Sequence, residues 1–317
     1  MPFLNNLAGT ALQFDFGKDL SLFSFLAVLM VLVAFLAGAY PGVVLSGFRP
    51  AESLKSSSGD GQQAGGFSLR QVLVGTQFAI SQALIIAAVV VTAQLEYSQN
   101  ADLGFRREGI VNVDLPSPDV AKKSALKQQL QQISGVEKVS LCFQPPASEA
   151  NWQTGVRLQG MPEFEPYPVN FKFADADFLE TFGLKLVAGR NLQPSDTIRE
   201  FLVNEELMKK LGYTNPEEIV GKILDVDHNV FPIVGVVKNF HNRSFHEGIF
   251  PQVLTCSARH NDVVAVRMNL QNGAPTLAAI EKTWSTIFPE FVYESRFMDD
   301  EVARFYEQEA VILKLVK

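Results

Sequence analysis

The chain has 317 residues, of which 47% are hydrophobic, and its formal net charge at pH 7 is −7. Its mean hydropathy of +0.10 is high for a soluble chain of this length. The acidic charge and the lack of a basic stripe argue against nucleic acid as a partner. Two cysteines, Cys142 and Cys256, are too few for a disulfide framework. They could pair in an oxidising compartment, but we expect each to be a buried thiol.

Two segments without charged residues predict two membrane-spanning helices. Residues 20–48 and 71–95 contain no Asp, Glu, Lys or Arg. Each is longer than the roughly 20 residues that a helix needs to cross ~30 Å of hydrocarbon. A buried core helix is the alternative, but soluble helices usually keep a charged face. We therefore predict transmembrane helices over 20–46 and 71–96, preceded by an extracytoplasmic segment over 1–19.

The polar stretch between these helices, residues 47–70, predicts their orientation. It carries Arg49, Lys55 and Arg70, and basic residues in a short loop favour the cytoplasmic side of a membrane. A cytoplasmic junction loop at 47–70 places everything after Glu96 on the extracytoplasmic side. Basic residues farther along do not change this, because long domains cross the membrane largely regardless of charge.

Residues 97–300 predict an extracytoplasmic domain of mixed α and β structure. An alternating apolar run predicts a strand over 110–116, and a polar helical stretch follows over 117–134. A second apolar run predicts another strand over 135–143. These elements together form one β-α-β unit.

The same order of elements recurs near the end of this domain. Residues 263–270, 274–289 and 291–298 predict a strand, a helix and a strand, so the two units predict a split, ferredoxin-like subdomain. A strand-rich inserted subdomain is predicted between them, over about 144–262. Residues 301–317 predict the start of a helix that returns to the membrane. The predicted fold class is therefore an α+β membrane protein.

The motifs in the chain do not predict an active site. The chain has no phosphate-binding G-x-x-x-x-G-K-[ST] loop. Ser124 and Lys127 match the S-x-x-K motif of penicillin-recognising enzymes, but its two companion motifs are missing. His241 and His246 are five residues apart, which does not place them on one helical face, so we expect a turn and not a metal site. Three contiguous carboxylates predict the first turn of a helix. They are Asp299, Asp300 and Glu301.

Several segments resemble one family of transporters. FRPAESLK at 48–55 resembles the sequence that closes the transmembrane region of FtsX-like, MacB-type permeases in ABC transporter systems. GFSLRQVLVGTQFAISQALI at 66–85 resembles the opening of a permease half. GVVKNFHNRSFHEGIFPQVL at 235–254 is similar to part of the periplasmic core domain in two-repeat members. NNLAGTALQFDF at 5–16 and FMDDEVARFYEQE at 297–309 are similar to segments that flank the membrane in this family.

The resemblance implies a noncatalytic permease subunit of an ABC-type exporter or mechanotransmission complex. Such a subunit lies in the bacterial inner membrane, needs no cofactor and couples a separate cytoplasmic ABC ATPase to its periplasmic domain. Pro50, Glu52, Leu54 and Lys55 are implied to lie near that ATPase. Membrane lipid, a second permease copy and a periplasmic or outer-membrane protein are further expected partners. The resemblance also implies that this chain is an internal or truncated piece of a permease.

Two other classes of protein remain as alternatives. The first is a membrane-anchored sensor with an extracytoplasmic ligand-binding domain. Further spans after Lys317 would favour the permease, whereas a cytoplasmic kinase or cyclase module would favour the sensor. The second is an anchored extracytoplasmic hydrolase, which the missing nucleophile and base disfavour.

Overall fold

The computed structural model describes residues 20–46, 69–116, 118–148, 151–242 and 248–304. The chain divides into two compact units, the first reaching Val90 and the second beginning at Val91. In chain order, the helices of the described ranges are α1 (Leu20–Ser46), α2 (Leu69–Asn100), α3 (Val120–Leu130), α4 (Phe178–Phe182), α5 (Glu205–Lys210), α6 (Pro216–Ile219), α7 (Gly273–Ile287) and α8 (Met298–Arg304). The strands are β1 (Ile110–Asp114), β2 (Val136–Cys142), β3 (Trp152–Thr154), β4 (Val156–Leu158), β5 (Val169–Phe173), β6 (Leu186–Gly189), β7 (Phe201–Asn204), β8 (Ile223–Val226), β9 (Asn229–Val237), β10 (Gln252–Thr255), β11 (Val263–Met268) and β12 (Ser295–Phe297).

The first unit contains α1 and most of the apolar part of α2. Within the described residues, one helical segment is long and apolar enough to cross a membrane, the 24 residues of Gln71–Gln94 in α2. Its large apolar side chains are exposed, as contact with lipid requires. In α1, the stretch Phe23–Phe35 is also apolar but shorter than a span. The structure therefore supports the second predicted span by length and composition, and the first span stays a prediction.

The second unit begins and ends with a four-stranded antiparallel sheet in the order β12-β1-β11-β2. Helix α3 connects β1 to β2, and α7 connects β11 to β12, so the elements alternate as β-α-β and β-α-β. Alternate residues of each strand point to the same face. One face packs against the buried residues of both helices, including Leu126 and Leu130 of α3 and Ile280 and Trp284 of α7.

Two elements of this sheet differ from the sequence prediction. Helix α3 is shorter than the predicted 117–134, because the Asp119 side chain caps its start by accepting the N–H groups of Ala121 and Lys122. Strand β12 is shorter than the predicted 291–298, since it pairs only with residues 111–113 of β1. Val292, which precedes it, is 82% exposed.

The strands between β2 and β11 in the chain form a second sheet, in the order β3-β5-β10-β7-β9-β8-β4, with β6 paired to β9. Strands β3 and β4 stand at opposite ends of this order, yet only Gly155 separates them in the chain. Since adjacent residues cannot lie at distant edges, the sheet closes on itself through Gly155. We call this closed sheet the barrel. Its interior is an apolar cluster that includes Val156, Phe171, Phe201 and Val253.

A third apolar cluster lies between the four-stranded sheet and the barrel. The sheet contributes Ile110 and Ala265, whereas the barrel contributes Leu202 and Leu254. Helix α4 adds Phe182, which is fully buried. Helix α4 is capped at its C-terminus by Gly183, whose φ of 66° is the left-handed conformation that glycine adopts readily. The two sheets thus share one core, which we call the shared core.

Candidate functional site

The structure does not place all of the residues that the sequence singled out. Pro50, Glu52, Leu54 and Lys55, which the resemblance places near an ATPase, lie outside the described residues, as does His246. His241 lies in a loop, where its backbone N–H donates to the Leu103 carbonyl. Within the described residues, no group of three or more His, Cys, Asp or Glu side chains could hold a metal ion.

Both cysteines are buried free thiols, as the sequence suggested. Cys142 ends β2 and Cys256 follows β10, and neither forms a disulfide. Burial raises the pKa of Cys256 to about 12 and raises the pKa of Cys142 even further above its ordinary value. Because the thiolate is the nucleophilic form, neither cysteine is suited to covalent catalysis at neutral pH.

The S-x-x-K pair does not form a nucleophile with its base. Ser124 is exposed on α3, while the Lys127 ammonium lies 2.7 Å from the Asp175 carboxylate and also donates to Asp177. Burial opposes the charged form of Lys127, but these two carboxylates outweigh it and raise its pKa. A charged lysine cannot act as the general base for Ser124. Its role is to pair with two carboxylates of the inserted segment.

Asp175 is the centre of a polar cluster where the two sheets meet. Its carboxylate accepts hydrogen bonds from Lys127 Nζ, Ser140 Oγ and Leu141 N, each at 2.7 Å. It also accepts the backbone N–H of Asp177 at 3.1 Å. The donors belong to α3, to β2 and to the turn that follows β5. We call these five residues the Asp175 junction.

The backbone around Asp175 continues the same connection. Ala174, which directly follows β5, forms an isolated β-bridge with Cys142 of β2. Asp175 N donates to Leu141 O at 2.9 Å, and Phe143 N donates to Phe173 O at 2.8 Å. The end of β5 therefore pairs with the edge of β2 that β11 leaves open. Sequence reasoning missed this junction, since Asp175 and Lys127 are 48 residues apart.

A second polar cluster connects α8 to the four-stranded sheet. Asn112, fully buried on β1, donates from Nδ2 to Glu301 Oε2 at 2.5 Å. Arg296 donates to the other oxygen of Glu301 at 2.7 Å and to both oxygens of Asp114 at 2.7 and 2.8 Å. The hydrogen bond to Asp114 is the main cause of a raised pKa at Arg296. We call these four residues the Glu301 junction.

The acidic triplet at the start of α8 has the predicted position. Asp299, Asp300 and Glu301 occupy the first turn of the helix, where the positive end of the helix dipole favours carboxylates. Only Glu301 of the three contacts Asn112 and Arg296. The prediction of a helix start is confirmed, and the contact with β1 is an addition that the sequence did not indicate.

Lys172 is a buried cation on the barrel strand β5. Its side chain is 2% exposed, and its ammonium donates to the Pro145 carbonyl at 3.0 Å. No carboxylate among the described residues forms an ion pair with it. Burial lowers its pKa from the ordinary 10.5 to about 8. Lys172 is too enclosed to meet a substrate in this structure.

Two polar junctions thus stand out among the described residues. The Asp175 junction connects the two sheets, and the Glu301 junction connects the sheet to the last described helix. Both consist of charge-assisted hydrogen bonds, which are shorter and more directional than neutral ones. Such an arrangement fixes the relative positions of elements. Neither junction contains a nucleophile paired with a base. Elsewhere, the Ser257 hydroxyl lies 2.8 Å from His260 Nδ1.

Two solved structures are similar to the chain at low sequence identity. The periplasmic region of MacB from Actinobacillus actinomycetemcomitans is 12% identical, with a TM-score of 0.44, over 61% of this chain and 91% of that one. The extracellular domain of the noncanonic ABC-type transporter YknZ from Gram-positive bacteria is 16% identical, with a TM-score of 0.43, over 59% and 98%.

The sequence itself identifies the family. No curated protein matches the chain. The MacB-like periplasmic core domain family matches residues 72–283, which is more than half of the chain and includes most of the apolar segment of α2. Through this domain, the chain belongs to the family of MacB-like ABC transporter permeases.

Proposed function

We propose that the chain is a noncatalytic permease subunit that couples a separate cytoplasmic ATPase to an extracytoplasmic domain. One observation carries the proposal: the family match includes both an apolar helix long enough to span a membrane and the domain that follows it. The chain is thus a membrane protein with an extracytoplasmic domain. The polar junctions support a mechanical role, because they join elements without forming an active site.

The proposed topology follows the charge distribution. Residues 20–46 and 71–96 span the bacterial inner membrane, and 47–70 form the cytoplasmic junction loop. Residues 97–300 lie in the periplasm, with an inserted subdomain over about 144–262. Residues 1–19 are also periplasmic, and 301–317 lead back toward the membrane. Basic residues in the short loop favour this orientation.

Single-cysteine labelling tests this topology. Cysteines at Ser58 and Ser117 are expected to react with a membrane-impermeant maleimide from opposite faces, Ser117 from outside. Cys142 and Cys256 are buried, so the unmodified chain should provide a low background. Labelling of both introduced cysteines from one face would refute the two-span topology.

We propose that the ATPase binds at Pro50, Glu52, Leu54 and Lys55 of the junction loop. The order of charges, with Glu52 before Lys55, suits the dipole of a short helix that begins near Pro50. Lipid, a second permease copy and a periplasmic or outer-membrane protein are the other proposed partners.

Photo-crosslinking tests the ATPase contact in the assembled, ATP-hydrolysing complex. Probes at Glu52 or Lys55 should capture the ATPase, whereas a probe at Gln62 in the glycine-rich and serine-rich linker should capture it weakly. Absence of any crosslink from the first two positions would refute the proposed contact. A sensor would show no dependence on an ATPase at all.

A further inference from the structure

The two chain connections between the four-stranded sheet and the barrel lie side by side. The chain leaves the sheet after Cys142, the last residue of β2, and returns at Val263, the first residue of β11. These two residues are paired in the sheet, and Asp262 N donates to Cys142 O at 2.9 Å. Two neighbouring connections at one end of a sheet form a hinge unless other contacts oppose rotation.

The shared core opposes separation of the two sheets but does not determine their angle. Its members are apolar, and they include Ile110 and Ala265 of the sheet and Leu202 and Leu254 of the barrel. Hydrophobic association depends on the area removed from water and has no preferred direction. Contacts of this kind permit small sliding movements between packed layers.

Directional contacts between the two sheets come from the backbone pairing of β2 with the end of β5 and from the Asp175 junction beside it. Asp175 Oδ2 accepts from both Leu141 N on β2 and Lys127 Nζ on α3, while Oδ1 accepts from Ser140 Oγ. Rotation of the barrel about its connections would break these bonds together. The side chains of Asp175 and Lys127 are each 19% exposed, so water could replace the bonds only in part.

We propose that Asp175 is a positioning residue that holds the barrel at one angle to the four-stranded sheet, so that the extracytoplasmic domain moves as one body. The inference deepens the proposed function, since a domain driven from the membrane passes on movement only if its parts do not rotate freely. Its test below needs no ATPase. Failure of the inference is therefore distinguishable from failure of the proposed function.

The distance between two spin labels reports changes in the angle between the barrel and the four-stranded sheet. Gln129 on α3 and Glu217 on α6 are exposed positions on the two sides of the junction, and the buried native thiols should not react with the label. The full chain carrying Q129C and E217C, in lipid nanodiscs, is expected to give a narrow distance distribution. Asp175→Asn, which removes the charge but keeps the shape, should widen it about twofold.

Two control variants separate positioning from general stability. Asp177→Asn removes the second carboxylate that binds Lys127 but keeps the bonds from Asp175 to β2. It should widen the distribution less than Asp175→Asn does. Asp225→Asn breaks the 2.9 Å ion pair with Arg157 between β8 and β4, entirely within the barrel. It should lower the melting temperature without widening the distribution.

Each result of the distance measurement either supports or overturns the proposal. A distribution that widens more in D175N than in D177N and stays narrow in D225N supports a positioning role for Asp175. A distribution in D175N as narrow as in the parent chain overturns it. Equal widening in D175N and D225N also overturns it, because the effect would then follow from destabilisation of the barrel.

Discussion

The four-stranded sheet and the barrel each bury polar side chains on their strands, and Asn112 and Lys172 among them have contrasting partners. Asn112 of β1 is neutral and donates to the carboxylate of Glu301. Lys172 of β5 is cationic and donates to a neutral carbonyl, that of Pro145. A buried amide with a charged partner is stabilised, whereas a buried charge without a counter-ion pays for its lost hydration. Lys172 therefore carries an electrostatic cost that Asn112 does not.

The two sheets also bury their apolar side chains in different ways. Helices α3 and α7 cover one face of the four-stranded sheet, and each follows a strand in the chain. The barrel instead closes through Gly155 and encloses its own interior. Both then contribute to the shared core. This difference raises the question of whether the two sheets unfold separately or as one cooperative unit.

The largest expected effect comes from a substitution in the barrel interior, and it tests whether the two sheets unfold together. Phe171, which is 2% exposed, contacts the rings of Phe173 and Phe201. Phe171→Ala should lower the free energy of unfolding by about 3–5 kcal/mol through the lost contacts and the cavity. Because of the shared core, we expect the fluorescence of Trp284 on α7, which packs on the other sheet, to report the same earlier transition in denaturant. Trp152→Phe in both chains removes the fluorescence of the tryptophan on β3. An unchanged Trp284 transition would show that the sheets unfold independently.

A smaller effect should follow from the charge of Lys172. Its pKa is about 8 in the folded chain and 10.5 ordinarily, so between these pH values the unfolded chain binds more protons. Stability relative to a variant without the charge therefore rises as pH increases from 8 to 10.5. Lys172→Met should be more stable than the parent at pH 7 by up to roughly 3 kcal/mol, and the difference should shrink across this window.

Denaturant titrations at several pH values measure this difference. Lys209→Met, at an exposed position on α5, is the matched control and should show no such dependence. A stability difference between parent and K172M that stays constant with pH would contradict a lowered pKa for Lys172. The quantity compared is the difference in the free energy of unfolding between the parent and K172M at each pH. Other groups that titrate in this range are present in both chains, so their contribution cancels.

The smallest expected effect concerns Asn112, whose amide nitrogen donates to Glu301. Glu301→Ala would leave the buried Asn112 amide without its carboxylate partner and Arg296 with Asp114 alone. We expect a loss of about 1–3 kcal/mol in stability and faster hydrogen exchange in α8. Asp299→Ala, in the same helical turn but exposed, should change neither measurement. Equal effects of the two substitutions would show that Glu301 acts only through the helix dipole.

Local sequence patterns determined several parts of this protein. The charge-free run after Arg70 predicts the apolar part of α2, and the alternation of strand and helix predicts β1, α3 and β2 in order. The contiguous carboxylates predict the start of α8, and the quoted segments indicate the transporter family that the comparison shows. These predictions are confirmed because they depend on residues that are neighbours in the chain, through hydrophobic periodicity and the helix dipole.

The tertiary structure alone decided how the polar side chains are used. The sequence pattern places Lys123 on the solvated face of a helix, yet it is 1% exposed and donates to the Asn261 carbonyl. In the sequence, Asp175 lies just before a short helix. Its hydrogen-bond donors on α3 and β2, however, precede it by 34 to 48 residues. Closure of the barrel likewise depends on strands that are distant in sequence. Such contacts form only when the whole chain folds, because burial and hydrogen-bond partners are properties of residues that meet in space and not of local composition.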